Sequence, residues 1–578
     1  MLIPPFFLLL QAISVLLLLF TTPTSASPTS HHHHPRADHL SQPPTYTPNR
    51  TRADAVRQAF RVSWDGYYKH AFPHDSLRPV TNSYADDRNG WGASAIDALS
   101  TALVMGEWEV AGQILEYVPR IDFDRTGGDG EEVVSVFETT IRYLGGLLSA
   151  YDLLTGPLKT KYRPPSSLVD SLLTQAVRLA NNLAIAFDTP SGIPDNHVYL
   201  SPPRKAGSTF TSLATAGTLV LEWTRLSDLT NNSLYASLAQ RAEEHLLHPK
   251  PSFSSSNDDG DGLAEAEPFP GLLGSHIRLS DGLFLDNHGS WGGGADSFYE
   301  YLLKTYIYSP SRFSVYKSRW LAAAESSAKH LVSHPASRPD LTFLAGWQGR
   351  KLRFASQHLA CFHAGNFILG GLVLDKPRLV RLGLDLVEGC HATYAATATG
   401  IGPESFAWRD AAEAAADAQT SSSSSNSSSS SSSSEDAPPP SSPPLSNPPP
   451  SLSTTTSGGF WILNPTYLLR PEVIESYYHA YRATADPKYQ DWAWAAFTAV
   501  NRTCRAGSGY SAVRDVNAPG GGGYLDFQES FWFAEVLKYA YLIFAEEEEW
   551  QVKGPGMKNG WLFNTEAHPV RVFGGGRG

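Results

Sequence analysis

One pattern recurs along almost the whole chain: apolar residues return every third or fourth position, segment after segment. In Val136–Leu154, the residues Phe137, Ile141, Leu144, Leu148 and Tyr151 follow a 4-3-4-3 rhythm. That is the spacing of one face of an α-helix, and such a stripe must be buried against a core. The same periodicity predicts helices over Ala53–Phe72, Ala93–Met105, Leu168–Phe187, Leu234–Leu247, Ser297–Tyr308, Arg319–His334, Leu372–Val387, Glu472–Ala483, Asp491–Arg502 and Phe531–Glu546. Short Gly/Pro/Asn/Asp loops separate them, and few strand patterns intervene. Roughly a dozen helices in one array point to a helical toroid rather than a small bundle. No fixed-period repeat marks a solenoid.

Hydrophobic residues make up 42% of the 578 and charged residues 18%, a core-forming balance. Lys plus Arg is 45 and Asp plus Glu is 57, a net charge of −12, which argues against a nucleic-acid partner. The many Trp and Tyr residues suit a ligand cleft as well as a core. The sequence shows no GxSxG elbow, no HExxH and no P-loop. His and Cys residues lack the spacing of a metal site, and His358 reads as a core histidine.

Leu2–Phe20 is apolar apart from Gln11 and Ser14, and Thr24-Ser25-Ala26 offers a cleavage site. Residues 1–26 are expected to be a signal peptide, with an uncleaved type II signal anchor as the rival reading. Both send the chain into the lumen of the secretory pathway, Golgi-retained or secreted, with membrane contact only if the anchor is kept. Sequons at Asn49, Asn231, Asn426 and Asn501 agree with that address. An oxidising lumen allows a disulfide. Cys361 with Cys390 is the favoured pair, closing a loop worth about 3–4 kcal/mol, with Cys504 left free; three unpaired buried thiols are the alternative.

Residues 27–50, including His31–His34, read as a disordered stem, 51–570 as the folded domain and 571–578 as a tail. The Ser/Pro-rich stretch 420–459 cannot bury enough apolar surface to order itself and reads as a surface insertion. Asn257–Gly262 hints at a calcium loop, but Pro268 stands where a glutamate is needed, so it reads as a solvated turn.

Several carboxylates sit inside apolar helical runs, where charge is costly: Glu138 in SVFETTIRYLGG, Asp296 in GGGADSFYEYLLK, Glu472 and Glu475 in LLRPEVIESYY, and Glu535 in SFWFAEVLKY. Glu404 follows Gly402-Pro403, and FNTEAHP carries Thr565, Glu566 and His568. Each has a structural reading, as a helix cap or as an i, i+4 partner such as Glu138 with Arg142. Their recurrence on separate helices instead predicts convergence in one acidic, aromatic-lined cavity. That arrangement suits a glycosidase, in which one carboxyl protonates the leaving oxygen and another activates water.

GWGASAIDAL at 90–99, VSVFETTIRYLGGLLSAYDLL, GGGADSFYEYLLK, HLACF at 358–362, LLRPEVIESYYHAYR and FNTEAHP together resemble class I α-1,2-mannosidases, glycoside hydrolase family 47. The resemblance spans roughly Arg52 to Pro569. It implies an all-α (α/α)7 barrel plugged by a small β-hairpin and a calcium ion in the cavity floor. It also implies an inverting enzyme that removes terminal α-1,2-linked mannose from high-mannose N-glycans of glycoproteins. By motif match, Glu138 resembles the general acid, Glu472 the base and Asp296 a third catalytic carboxylate. Thr565 matches the calcium-binding residue. Glu404, Glu475, Glu535 and Glu566 match the shell around calcium-bound waters, the first three also facing substrate. Arg142, Arg470 and Phe531 match sugar-contacting positions, and Cys361 with Cys390 matches the family's disulfide. A monomer is expected. Ser100 departs from the usual Asp of the family motif. Gly294 stands where narrow endoplasmic-reticulum enzymes carry Arg, which implies a roomier cleft. A second reading is a glycan-binding, degradation-linked relative with little hydrolysis; the chain's end nine residues after Pro569 counts against it.

Overall fold

The computed structural model describes residues 44–127, 133–250, 252–253, 263–264, 266–424 and 457–574. The signal segment, most of the stem, Asn426, the Asn257 turn and residues 425–456 lie outside them.

Helices occur in pairs. In chain order the helices of the barrel are α1 (Arg50–His70), α2 (Ala93–Met105), α3 (Trp108–Tyr117), α4 (Gly145–Thr155), α5 (Ser166–Leu183), α6 (Val220–Thr230), α7 (Ser233–Leu247), α8 (Asp296–Tyr308), α9 (Ser314–Ser326), α10 (Phe362–Val373), α11 (Pro377–Ala395), α12 (Glu472–Thr484), α13 (Pro487–Cys504) and α14 (Leu537–Leu542). The even-numbered helices touch in sequence, α2 to α4 to α6 to α8 to α10 to α12 to α14, and α14 returns to α2. Each carries an odd-numbered helix on its outside, with α1 backing α14. This closed ring of seven pairs is the expected (α/α)7 barrel.

Sequence explains which helix goes where. Every residue of α2 is buried, as an inner helix apolar all round requires. The outer α5 buries one stripe, including Leu172, Ala176, Leu179 and Leu183. Gly92 and Gly106 end α2 with φ of 75° each, a left-handed conformation cheap only for glycine. The helix expected over Leu372–Val387 is two helices. Asp375, at φ 51°, turns the chain, and Pro377 starts α11 at a position where its missing N–H costs nothing. The long Val136–Leu154 pattern is also interrupted, by a π-helical turn over Thr140–Leu144, and a second π turn spans Trp532–Val536.

Strands are two to four residues long and form antiparallel pairs or triplets in the loops. Segments that short carry no period to read. One hairpin, Trp561–Phe563 with Pro569–Arg571, plugs the barrel, its strands against α4 and α8. Asn564 shapes its tip. Its Oδ1 accepts from the Glu566 and His568 backbone N–H groups (3.0 and 2.8 Å), while its Nδ2 donates to the Ile141 carbonyl and Glu222. Ser100, the departure from the family motif, accepts from Lys538 Nζ and bonds His568 Nδ1, each at 2.9 Å, a structural role behind the plug.

Three expected boundaries move. The end of the stem is folded: Tyr46 donates to the Arg482 carbonyl (2.6 Å) and stacks under its guanidinium, and Asn49 caps α1. The presumed tail contributes Arg571 to the plug, and the Phe573 N–H donates to the Tyr308 carbonyl. The insertion is narrower than 420–459, because a helix runs from Ala411 to Ser424 and Gly458 and Gly459 are buried. Cys361 and Cys390 form a disulfide, and Cys504 is a buried free thiol. Asn231 and Asn501 are exposed, and Asn49 is half-buried. Among the described residues no helix is long and apolar enough to cross a membrane.

Excision of residues 425–456 should change stability by less than about 1 kcal/mol, since loop entropy varies slowly with length. Substituting Phe460 by Ala should cost about 3–5 kcal/mol, because its ring is buried against Phe343, Phe406 and Trp408. Thermal melts of both variants check this.

Candidate active site

Inside the ring lies a cavity of about 400 Å³ whose wall includes Glu138, Arg142, Asp296, Arg470, Glu472, Glu475, Phe531, Glu535, Thr565 and Glu566. Residues more than 400 positions apart in sequence meet there because inner helices and the plug tip all point inward. The two π turns matter locally. An extra residue in a turn rotates the side chains beyond it, and such turns gather at functional sites; here they carry Arg142 and Glu535.

Arg142 ties one side together. Its Nε donates to Glu138 Oε2 (2.8 Å), its Nη1 lies 2.7 Å from Glu566 Oε1, and its guanidinium stands over the Phe531 ring. Burial pushes the Glu138 carboxyl up, but Arg142 and Arg88 outweigh it and hold the group below the usual glutamate value.

Glu472 starts α12 on another wall. Its Oε2 bonds His358 Nδ1 at 2.7 Å, and His358 Nε2 bonds the Tyr394 hydroxyl at 2.8 Å. Burial raises the Glu472 carboxyl; the His358 bond and charge, with Arg470, more than offset this, so it stays ionised. Asp296, at the start of α8, differs. Burial drives it up to about 7, the Ser297 N–H pulls it down, and Glu300 and Glu472 add to the rise.

The floor is crowded with carboxylates. Burial raises Glu535 and Glu566 well above the ordinary value, and each is pushed further by neighbouring acids. Glu475 rises for the same reasons, with Glu300 the like charge that raises it most. Glu566 Oε2 is buried with no hydrogen-bond partner. An all-oxygen donor set around Thr565, with an unsatisfied buried oxygen, fits a hard cation. These carboxylates do not cluster closely enough for three to bind one ion directly, so water would complete its shell.

Not every expected residue belongs to the floor. Glu404 is absent from the cavity wall, and both its oxygens accept from Arg470 Nε (2.7 and 2.8 Å), so it positions that arginine. His358 is no inert core residue but the direct partner of Glu472. Arg88, Glu300 and Glu529 line the cavity and were not singled out from sequence. Glu300 was legible, one helical turn after Asp296. Contrary to the sequence expectation, His276, Asp286 and His288 do converge, and among the described residues they are the only such group of His, Cys, Asp and Glu side chains. The spacing H-x9-D-x-H was the available signal.

Ionised and proton-holding carboxyls facing one cavity, flanked by arginines and an aromatic ring, make this an acid–base glycosidase on an (α/α)7 barrel. Comparison with known proteins agrees. The family profile "Glycosyl hydrolase family 47" matches residues 59–572, and the chain belongs to that family. It is 51% identical over 528 residues to the probable mannosyl-oligosaccharide alpha-1,2-mannosidase 1B of Aspergillus clavatus, covering 90% of this chain and 93% of that protein. It is 50% identical to the mannosyl-oligosaccharide alpha-1,2-mannosidase 1B of Aspergillus phoenicis, over 92% of this chain and 94% of that one. The solved alpha-1,2-mannosidase from Trichoderma reesei superposes with a TM-score of 0.82 at 48% identity, covering 91% of this chain and all of that one.

His358→Ala should raise the Glu472 carboxyl, because the bond and charge that lower it are lost. The acidic limb of the kcat/KM profile should then move to higher pH. A pH–rate series on wild type and variant reads the shift.

Proposed function

We propose that this enzyme is a calcium-dependent, inverting exo-α-1,2-mannosidase that trims terminal α-1,2-linked mannose from high-mannose N-glycans of glycoproteins in the secretory lumen. The observation that carries the reading is the pairing of Glu472, kept ionised by His358 and Arg470, with carboxyls on other inner helices around one cavity. The names of the family relatives supply the linkage and the sugar.

Glu472 serves as the base. Its ionised oxygen takes a proton from water as that water attacks the anomeric carbon, and His358 fixes its orientation. Arg142, Arg470 and Phe531 hold the terminal mannose. By family match Glu138 supplies the proton to the leaving oxygen. Its pairing with Arg142 leaves it ionised at rest, so it must first take up a proton through water. A second assignment is favoured by Asp296, which holds a proton up to about pH 7 and is ready to donate. Thr565, with water held by Glu475, Glu535 and Glu566, would bind calcium. When bound, the ion supplies positive charge to orient sugar hydroxyls and water.

Glu472→Gln and Glu138→Gln should each lower kcat by about 10²–10⁴-fold without loss of fold, read as free mannose released from α-1,2-mannobiose and from a nine-mannose glycan. The first product anomer by NMR should be β. If Asp296 donates the proton, activity falls as pH rises through about 7 and this limb vanishes in Asp296→Asn; if Glu138 donates, the decline follows its lowered carboxyl at more acidic pH and persists in Asp296→Asn.

Chelation should abolish activity and lower the melting temperature, with calcium restoring both better than magnesium, which gives up water reluctantly. At a hundredfold excess over Kd the ion adds about 2.7 kcal/mol. The raised floor carboxyls set the sign of the pH effect. Their stabilising proton is fully bound below the unfolded-state value and lost as pH rises through the folded one. The stripped protein should therefore melt lower as pH rises, and calcium should rescue most on that side.

A further inference from the structure

A second cavity of about 430 Å³ adjoins the catalytic one and shares Ser212, Gly293 and Gly294 with it. A side chain at Gly294 would meet nothing within 4 Å, so no wall rises between them at that point. His276 and His288 line this side cavity. Both are partly exposed, their side chains at 41% and 45%, so solutes reach them.

Short strands hold the three residues. His276 opens the strand His276–Arg278, in register with Ser212, and its carbonyl accepts from the Leu285 N–H. His288 pairs with Gln348. Asp286 lies between them: Oδ2 is 2.6 Å from His276 Nδ1, Oδ1 is 3.7 Å from His288 Nδ1, and Oδ1 also accepts from the Ser275 N–H. One ligand atom from each residue lies within 4.8 Å of the others. Ligands of a tetrahedral zinc ion stand roughly 3.3 Å apart, so small side-chain rotations close the set. Two imidazoles and a carboxylate, without thiolate, are donors for Zn2+ and its borderline neighbours rather than for calcium. Deeper in the same cavity, Trp347 Nε1 and His363 Nδ1 are buried without partners. Such polar walls hold water, and water is what an open fourth position takes.

We propose that His276, Asp286 and His288 form a second metal site, for a zinc-class divalent ion with one position open to solvent, in the side cavity that adjoins the catalytic one. An ion there stands beside the path of a large branched oligosaccharide, but not of a disaccharide confined to the catalytic cavity. This last consequence rests on the mannosidase reading; the binding does not.

The test is calorimetric titration of the calcium-loaded full chain with Zn2+, in a background where His31–His34 are replaced by alanine so that this tract cannot bind the metal. One Zn2+ per chain is expected, and H276A/H288A should weaken it by at least about 100-fold, while its mannobiose hydrolysis and melting temperature match the parent's. The milder H276Q/H288Q covers a folding defect in the first variant. Co2+ should give a visible ligand-field spectrum in the parent that both variants lose. Equal Zn2+ binding in parent and variants, or none in the parent, overturns the site. In turnover, Zn2+ should slow a nine-mannose glycan more than mannobiose, and the difference should disappear in H276A/H288A. Equal slowing of both substrates overturns the placement on the glycan's path while leaving the binding result to stand.

Discussion

Like charges crowded into a low-dielectric space are the constraint around which this barrel is arranged. Glu300, Glu472, Glu475, Glu535 and Glu566 all face one cavity. At an effective dielectric of about 20, two unit charges about 4 Å apart interact by about 4 kcal/mol, comparable to a large part of a domain's net stability. The protein answers in several ways at once. Arg142 serves Glu138 and Glu566, Lys304 is paired with Glu300, and Arg470 stands near Glu472 while Glu404 holds it in place. The two floor carboxyls left without an arginine, Glu475 and Glu535, are pushed well above the ordinary glutamate value by burial and by their acidic neighbours.

The surroundings also sort the carboxyls by protonation state. Glu472 is ionised because a buried histidine, itself bonded to Tyr394, faces it. Asp296 lacks such a partner and holds its proton to about pH 7. Residue type dictates neither state: two acids with similar solution behaviour are driven apart by what surrounds them, as acid–base catalysis needs. The plug makes this possible. Asn564 folds the hairpin tip so that Thr565 and Glu566 close the floor, and the layer of Ser100, Lys538 and His568 beneath it is fully buried and hydrogen-bonded.

Local sequence was enough for the class of architecture and most of the chemical inventory. The 3.6-residue period is a local property, so helices such as Ala93–Met105 could be read to the residue. Carboxylates inside apolar runs are costly enough to announce a purpose, and long motifs carried the family. Contacts between distant segments settled the rest. Leu372–Val387 splits at Asp375, where one left-handed residue outweighs a continuing apolar period. His358 turns from core filler into the partner of Glu472, Glu404 moves from the metal floor to Arg470, and His276, Asp286 and His288 join across a loop. Each depends on contacts between segments distant in the chain or on the path of a loop. Periodicity reports which face of a segment is buried; only the closed ring of helices decides what that face meets.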